Sequence, residues 1–145
     1  MRWNEFASSA PELSRRAAEL LVARPAYLAT VDGDAAPRVH PVAPVIGDDA
    51  LYVFMEPTSP KGNDLRDRGG YALHNGVPDN DGTGGEVSLR GTAQIVSDPD
   101  RREVAARAAA YAPAERYVLF EFHVDDVRLT QYEGDTTLRQ RWPER

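Results

Sequence analysis

The sequence predicts a mainly β (α+β) chain folded as a closed or partly split antiparallel barrel with flanking helices. Three observations carry that expectation. Short apolar or alternating runs, the mark of half-buried or buried strands, recur from Ala26 to Tyr132. Turn signals such as Asp32-Gly33-Asp34 and Gly47-Asp48-Asp49 join neighbouring runs, which makes adjacent strands antiparallel. Helical patterns are few, and the order is helix, three strands, short helix, two strands, helix, one or two strands. At 145 residues one domain is expected, residues 1–145, with a helix over about 10–23, a barrel over about 26–133 and a tail over 134–145.

Each element has its own signal. Ser9-Ala10-Pro11-Glu12 reads as a capping box with Ser9 as N-cap. Leu13, Ala17, Leu20 and Leu21 then recur on one helical face, and Pro25 stops the helix at about Ala23. Arg15, Arg16 and Glu19 mark its outward face, so it reads as a lid packed on something else. Ala26–Val31 is a short strand. Arg38–Ile46 is the next, with Pro41 and Pro44 demanding an edge, a bulge or a bend. Leu51–Met55 is apolar on both faces, as a doubly buried strand should be.

Pro57 and Pro60 stop that strand from growing, and Asn63–Arg68 forms a short helix that Gly69 and Gly70 end. Tyr71–Asn75 is a strand, and residues 76–85 are a loop rich in Gly, Pro, Asp and Asn. Glu86–Val96 is the clearest strand. Val87, Leu89, Ala93 and Ile95 face one way, and Gly91 marks a bulge or barrel corner. Asp98 caps a helix that begins at Pro99 and runs to about Tyr111, with Val104, Ala105, Ala108 and Tyr111 on one side. Tyr117–Val124 is a long apolar strand that Val127–Tyr132 continues or returns.

Composition narrows the function. A net charge of −6 and a pI near 5.0 argue against nucleic acid as partner, because neutralising phosphates needs a basic face. The absence of cysteine removes disulfides, thiolate metal sites and a cysteine nucleophile. No apolar run approaches the roughly 20 residues of a membrane span. Met1–Phe6 carries no apolar signal core, so a cytoplasmic location is the expectation. The arginine and alanine bias points to a GC-rich bacterial genome. His40, His74 and His123 lie on different strands without metal-ligand spacing, and Asp125 and Asp126 beside His123 read as solvated strand-end carboxylates. No metal site is expected. Neither a phosphate-binding glycine loop nor a nucleophile elbow is present.

Two stretches carry candidate chemistry. In Phe54-Met55-Glu56-Pro57-Thr58-Ser59-Pro60-Lys61, a strand end leads into two hydroxyls and the only lysine of the chain, just before a helix start. Hydroxyls, an ammonium and helix-start N–H groups together suit a phosphate. In Arg38-Val39-His40-Pro41, alternation puts Arg38 and His40 on one strand face. A guanidinium forks onto a phosphate, and an imidazole donates to a ring carbonyl or a phosphate oxygen. A barrel this small is filled by its own side chains, so a ligand must lie outside it, between helices or subunits.

The order Ala-Thr-Val-Asp-Gly-Asp, Pro37-Arg-Val-His-Pro-Val42, Leu51-Tyr-Val-Phe54, Ser59-Pro-Lys-Gly-Asn-Asp-Leu65 and Val87-Ser-Leu-Arg-Gly-Thr-Ala93 resembles the pyridoxamine 5′-phosphate oxidase-like, flavin-binding split-barrel family over about residues 12–133. The resemblance implies a six-stranded antiparallel split barrel of Greek-key type that forms a homodimer. Flavin mononucleotide (FMN) would lie in two grooves between subunits and serve an oxidoreductase acting on a small molecule. On this pattern Arg38, Val39, His40 and Pro41 line the flavin, Phe54 and Met55 sit near it, and Thr58, Ser59 and Lys61 hold its phosphate. Trp142 resembles a tryptophan that approaches the cofactor from the partner chain. Pyridoxamine 5′-phosphate oxidase proper is longer and spends further arginines and lysines on its substrate phosphate, whereas the one lysine here is already assigned. A subgroup binds the deazaflavin coenzyme F-420 and often carries a basic residue just before the lysine, where this chain has Ser59-Pro60. Flavin or deazaflavin binding without turnover, as a carrier or sensor, and a structural dimer whose groove is empty are the remaining alternatives.

Overall fold

The structure, a computed structural model, describes residues 1–144. Arg145, the last residue of the expected tail, lies outside the described residues. The elements are α1 (Trp3–Ser9), α2 (Pro11–Val22), β1 (Ala26–Val31), β2 (Pro37–Val42), β3 (Val45–Ile46), β4 (Leu51–Met55), α3 (Pro60–Arg68), β5 (Gly70–His74), β6 (Glu86–Ile95), α4 (Pro99–Ala108), β7 (Val118–Phe122), β8 (Asp126–Glu133) and β9 (Thr136–Trp142). One antiparallel sheet runs β2-β1-β5-β6-β7-β4-β3, with β8 on β6 and β9 on β8. It curls into the half-barrel expected of a split barrel.

The N-terminal helix differs from its sequence pattern. Ser9 is not an N-cap but the last residue of α1, and its hydroxyl donates to the Phe6 carbonyl at 3.0 Å. The cap lies earlier, where the Arg2 N–H donates to Glu5 Oε2 at 2.7 Å. Pro11 forces a new start for α2, because it has no N–H to continue α1. The apolar stripe of α2 is as expected, with Leu13, Ala17, Leu20 and Leu21 buried.

Ala43 and Pro44 break the predicted 38–46 strand into β2 and β3, since a proline cannot extend the ladder. The turn before β2 is built on Asp32, whose Oδ1 accepts the N–H groups of Asp34 and Ala36 at 2.9 and 3.0 Å. β4 is buried at every position. Its odd residues Leu51, Val53 and Met55 enter the barrel core with Phe120 and Phe122. Its even residues Tyr52 and Phe54 enter a second cluster with Leu119 and Ala105, under α4. Burying a side chain of this size stabilises by about 1.5–3 kcal/mol.

β6 is the hinge of the architecture. Residues 86–92 pair with β5 and β8, and Ala93–Ile95 pair with β7. Gly91 sits at the change of partner, where an added Cβ would lie 1.9 Å from the His123 carbonyl oxygen. The glycine is therefore a close backbone approach at a corner. Ile95 departs from the predicted inward row and is exposed, whereas Ala93, in the same β7-paired stretch, stays buried. α4 is shorter than its pattern, ending at Ala108, and only Ala105 of its expected apolar face is buried.

The expected tail is largely strand. β9 pairs with β8 from Glu133↔Thr136 to Val127↔Trp142. The carboxylate of Asp126 is not solvated. It is buried and meets Arg128 and Arg141, each at 3.1 Å. Asp125 does stay exposed. Among the described residues no helix is long and apolar enough to cross a membrane.

Candidate functional site

The site forms where β1, β2 and the start of α3 meet. Glu56–Ser59 makes a turn, with the Ser59 N–H donating to the Glu56 carbonyl at 3.1 Å. α3 then begins at Pro60, earlier than its sequence pattern, with Pro60 at a position where a missing N–H costs nothing. Ser59 is its N-cap, and the Ser59 hydroxyl oxygen accepts the Gly62 N–H at 3.2 Å. Its own proton stays free to donate. Gly62 is required here, because a Cβ would lie 2.9 Å from Ser59 Oγ and 3.4 Å from Met55 Sδ. Gly69, at φ 75°, ends the helix in the left-handed conformation.

The start of α3 presents Lys61. Its ammonium has no hydrogen bond or ion pair among the described residues. Partial burial holds its pKa below the usual lysine value, with Glu56 offsetting some of that effect. Glu56 is itself engaged by Arg116, Nε to Oε2 at 3.0 Å. His40 lies within the field of Lys61. Burial first, then Lys61 and Arg38, hold its pKa below the usual histidine value, while Asp64 opposes them. The His40 Nε2 atom is buried and has no hydrogen-bond partner. Arg38 is anchored by Asp64, Nε to Oδ2 at 2.9 Å, with Asp32 Oδ2 3.9 Å from its Nη2.

Asp64 is a residue that the sequence pattern did not mark. It is 7% exposed, and the same Oδ2 also accepts the Thr30 hydroxyl at 2.7 Å. Burial works to raise its pKa, but hydrogen bonds from Thr30 and Arg38 outweigh that and hold it below the usual carboxylate range. A helical aspartate followed by Leu65 carries no signal for such a role. Its partners come from strands 26 and 34 residues away.

The structure thus brings Arg38, His40 and Lys61 together, with Ser59 and Met55 at the base of α3. Thr58 is exposed beside them. Val39 and Pro41 project from the opposite face of β2 and are exposed, Val39 at 62%. Phe54 faces α4, with the Arg102 guanidinium 5.3 Å from its ring centroid. Trp142 packs on its own chain, its ring centroid 4.9 Å from that of Phe6. Two groups without partners, a half-buried ammonium and a buried imidazole nitrogen, with a guanidinium and a helix start, suit an oxygen-rich anion. Among the described residues no group of three or more His, Asp or Glu is placed to hold a metal ion.

Residues 14–131 match the model of the family described as pyridoxamine 5′-phosphate oxidase. Comparison with curated proteins gave no match. Among solved structures, a haem binding protein from Mycobacterium smegmatis matches with a TM-score of 0.68 at 15% identity, covering 88% of this chain but only 57% of that one. A NimC/NimA family protein from Clostridium acetobutylicum matches with a TM-score of 0.66 at 20% identity, covering 87% and 92% of the two chains. A pyridoxamine 5′-phosphate oxidase-related, FMN binding protein from Nostoc punctiforme matches with a TM-score of 0.63 at 14% identity, covering 91% and 86%. At such identities these likenesses establish the fold.

Proposed function

Because this chain belongs to the pyridoxamine 5′-phosphate oxidase family, we propose that it is a flavin-binding oxidoreductase that holds FMN at the interface of a homodimer. The observation that carries the reading is the Lys61 ammonium, half-buried and without a counter-ion at the start of α3, beside Arg38 and the orphaned His40 Nε2. An ammonium taken partly out of water without a partner is costly, and an anionic ligand removes that cost. The residues fit the phosphate tail of FMN. Lys61 and Arg38 would supply charge, Thr58 and Ser59 hydroxyl donors, and the start of α3 the positive end of its dipole.

The homodimer has support in the outer face of β1 and β2. Tyr27, Val31 and Val39 are 50%, 41% and 62% exposed. The ladder places Tyr27 beside Pro41, Ala29 beside Val39 and Val31 beside Pro37. This is a continuous apolar strip on a curled sheet, and a second copy of the chain would cover it. Val39 and Pro41 would then lie at the subunit boundary, back to back with the Arg38–His40 face. Phe54 and Trp142 would enter the cofactor groove only from positions that this chain by itself does not bring near Lys61.

When bound, the flavin supplies hydride chemistry. The chain's own part is to hold the phosphate, orient the cofactor along β2 and exclude water. No side chain of the cluster is an evident general acid or base, so a small-molecule substrate would be selected by groove shape. A visible spectrum of the purified protein, followed by titration with FMN, tests the reading. Binding tighter than roughly 100 µM is expected, and weaker binding removes the proposal. Lys61→Ala should weaken FMN by about tenfold or more, as loss of a charge-assisted contact requires.

The same cradle reads a phosphate and not a ring, so it also accepts the phosphate-bearing tail of the deazaflavin coenzyme F-420. Parallel titrations with FMN, the deazaflavin and haem rank the three. Turnover of nicotinamide donors by the loaded protein separates an enzyme from a flavin carrier.

A further inference from the structure

We infer that Asp64 is the positioning residue of this anion site, fixing the Arg38 guanidinium relative to the start of α3 so that cations from two elements meet one phosphate. The inference rests on the phosphate reading above. A carboxylate beside a bound phosphate repels it, so a buried aspartate in that place is electrostatically counterproductive unless it does geometric work. Its contacts describe such work. One oxygen, Asp64 Oδ2, takes Thr30 Oγ1 from β1 at 2.7 Å and Arg38 Nε from β2 at 2.9 Å, while the residue itself belongs to α3. Three elements therefore converge on a single atom.

The pattern of bonding matters as much as the convergence. Arg38 is held through Nε, so its two terminal amino groups keep hydrogens for a ligand, with Asp32 3.9 Å from one of them. Lys61 precedes Asp64 by three residues, which puts both on one side of α3. Yet no ion pair joins them among the described residues, and the ammonium stays available. Asp64 thus consumes the part of Arg38 that a phosphate does not need and leaves Lys61 untouched. Without it, a long arginine side chain would have to be ordered by the ligand at the moment of binding.

Calorimetric titration of the wild-type protein and of the Asp64→Ala, Asp64→Asn and Lys61→Ala variants with FMN and with riboflavin tests the assignment, each variant checked by its thermal melt. Riboflavin lacks the phosphate, so the ratio of the two affinities isolates the anion site. Asp64→Ala should lower FMN affinity by about tenfold, as expected for misplacing one charged donor, and leave riboflavin within about twofold. Asp64→Asn keeps an oxygen for Thr30 and Arg38 and should restore most of the ratio. Tighter FMN binding in both Asp64 variants would mean that only the charge matters and overturns the inference. So would equal loss of FMN and riboflavin with a lowered melt, which is mere structural damage. If Lys61→Ala abolishes the FMN preference while Asp64→Ala keeps it, the positioning role is wrong and the phosphate reading stands. If the wild-type protein shows no preference, the phosphate reading fails and takes the inference with it.

Discussion

Replacing Gly91 by alanine should open the barrel at its corner. The new Cβ would lie 1.9 Å from the His123 carbonyl oxygen and 2.9 Å from its carbon, both backbone atoms. A carbon–oxygen contact needs about 3.3 Å, so the strand crossing must retreat by more than ~1 Å. That crossing is pinned by His123 N–H to the Thr92 carbonyl at 2.7 Å and Asp125 N–H to the Arg90 carbonyl at 2.8 Å. Tyr71 Oη donates to the same His123 carbonyl at 2.9 Å. Three hydrogen bonds at about 1 kcal/mol each, with some overpacking, give a loss of roughly 3–5 kcal/mol. With a urea slope of about 2 kcal/mol/M, the unfolding midpoint should fall by about 1.5–2.5 M. Gly70→Ala is the control, since a Cβ there meets nothing within 4 Å. It should change stability by no more than about 1 kcal/mol. Urea melts followed by circular dichroism decide it, and a Gly91→Ala midpoint equal to wild type refutes the corner argument.

Other consequences are open to direct measurement. Ser59→Ala removes the acceptor for the Gly62 N–H and should destabilise by about 1 kcal/mol in a thermal melt, while also weakening FMN. Burial acts to raise the pKa of Glu121, but Arg2 at 2.8 Å and Arg101 at 2.6 Å hold it below its ordinary 4.5. The unfolded chain therefore binds the extra proton first as pH falls below about 4.5. The stabilisation is complete above that value and drains as pH drops through the folded pKa. Glu121→Gln should flatten this acid limb in melts recorded across pH 2–6, values set by the carboxylate range of about 4; an unchanged limb contradicts the account. Val39→Asp places a charge in the exposed strip of β2 and should turn a dimer into monomers by light scattering. A wild-type protein that is already monomeric would remove the subunit interface from the proposal.

Much of the fold is legible from local pattern. β1 and β4 fall where alternation and continuous apolar runs place them, because β1 alternates buried and more exposed positions along its whole length and β4 is buried throughout. β2 and β3 show where local pattern misleads, since only the bend at Ala43 and Pro44 decides that one run is two strands. β9 is harder. The Gly134-Asp135 pair is a two-residue hairpin turn, but the strand after it is mostly exposed and carries Arg139 and Arg141, so its hydrophobic signal is thin. At the candidate site, the unusual residue announces itself, as the lone lysine does. Asp64 does not, because its role depends on Thr30 and Arg38 arriving from other elements, which no local spacing encodes.

The double allegiance of β6 has a consequence for how the molecule breathes. One continuous segment bonds to β5 and β8 before its corner and to β7 after it, so neither side of the half-barrel can detach without disrupting the other. Amide protons along β6 should therefore exchange with solvent only through whole-molecule unfolding, at one common rate, while those of the β8–β9 hairpin tip escape far sooner.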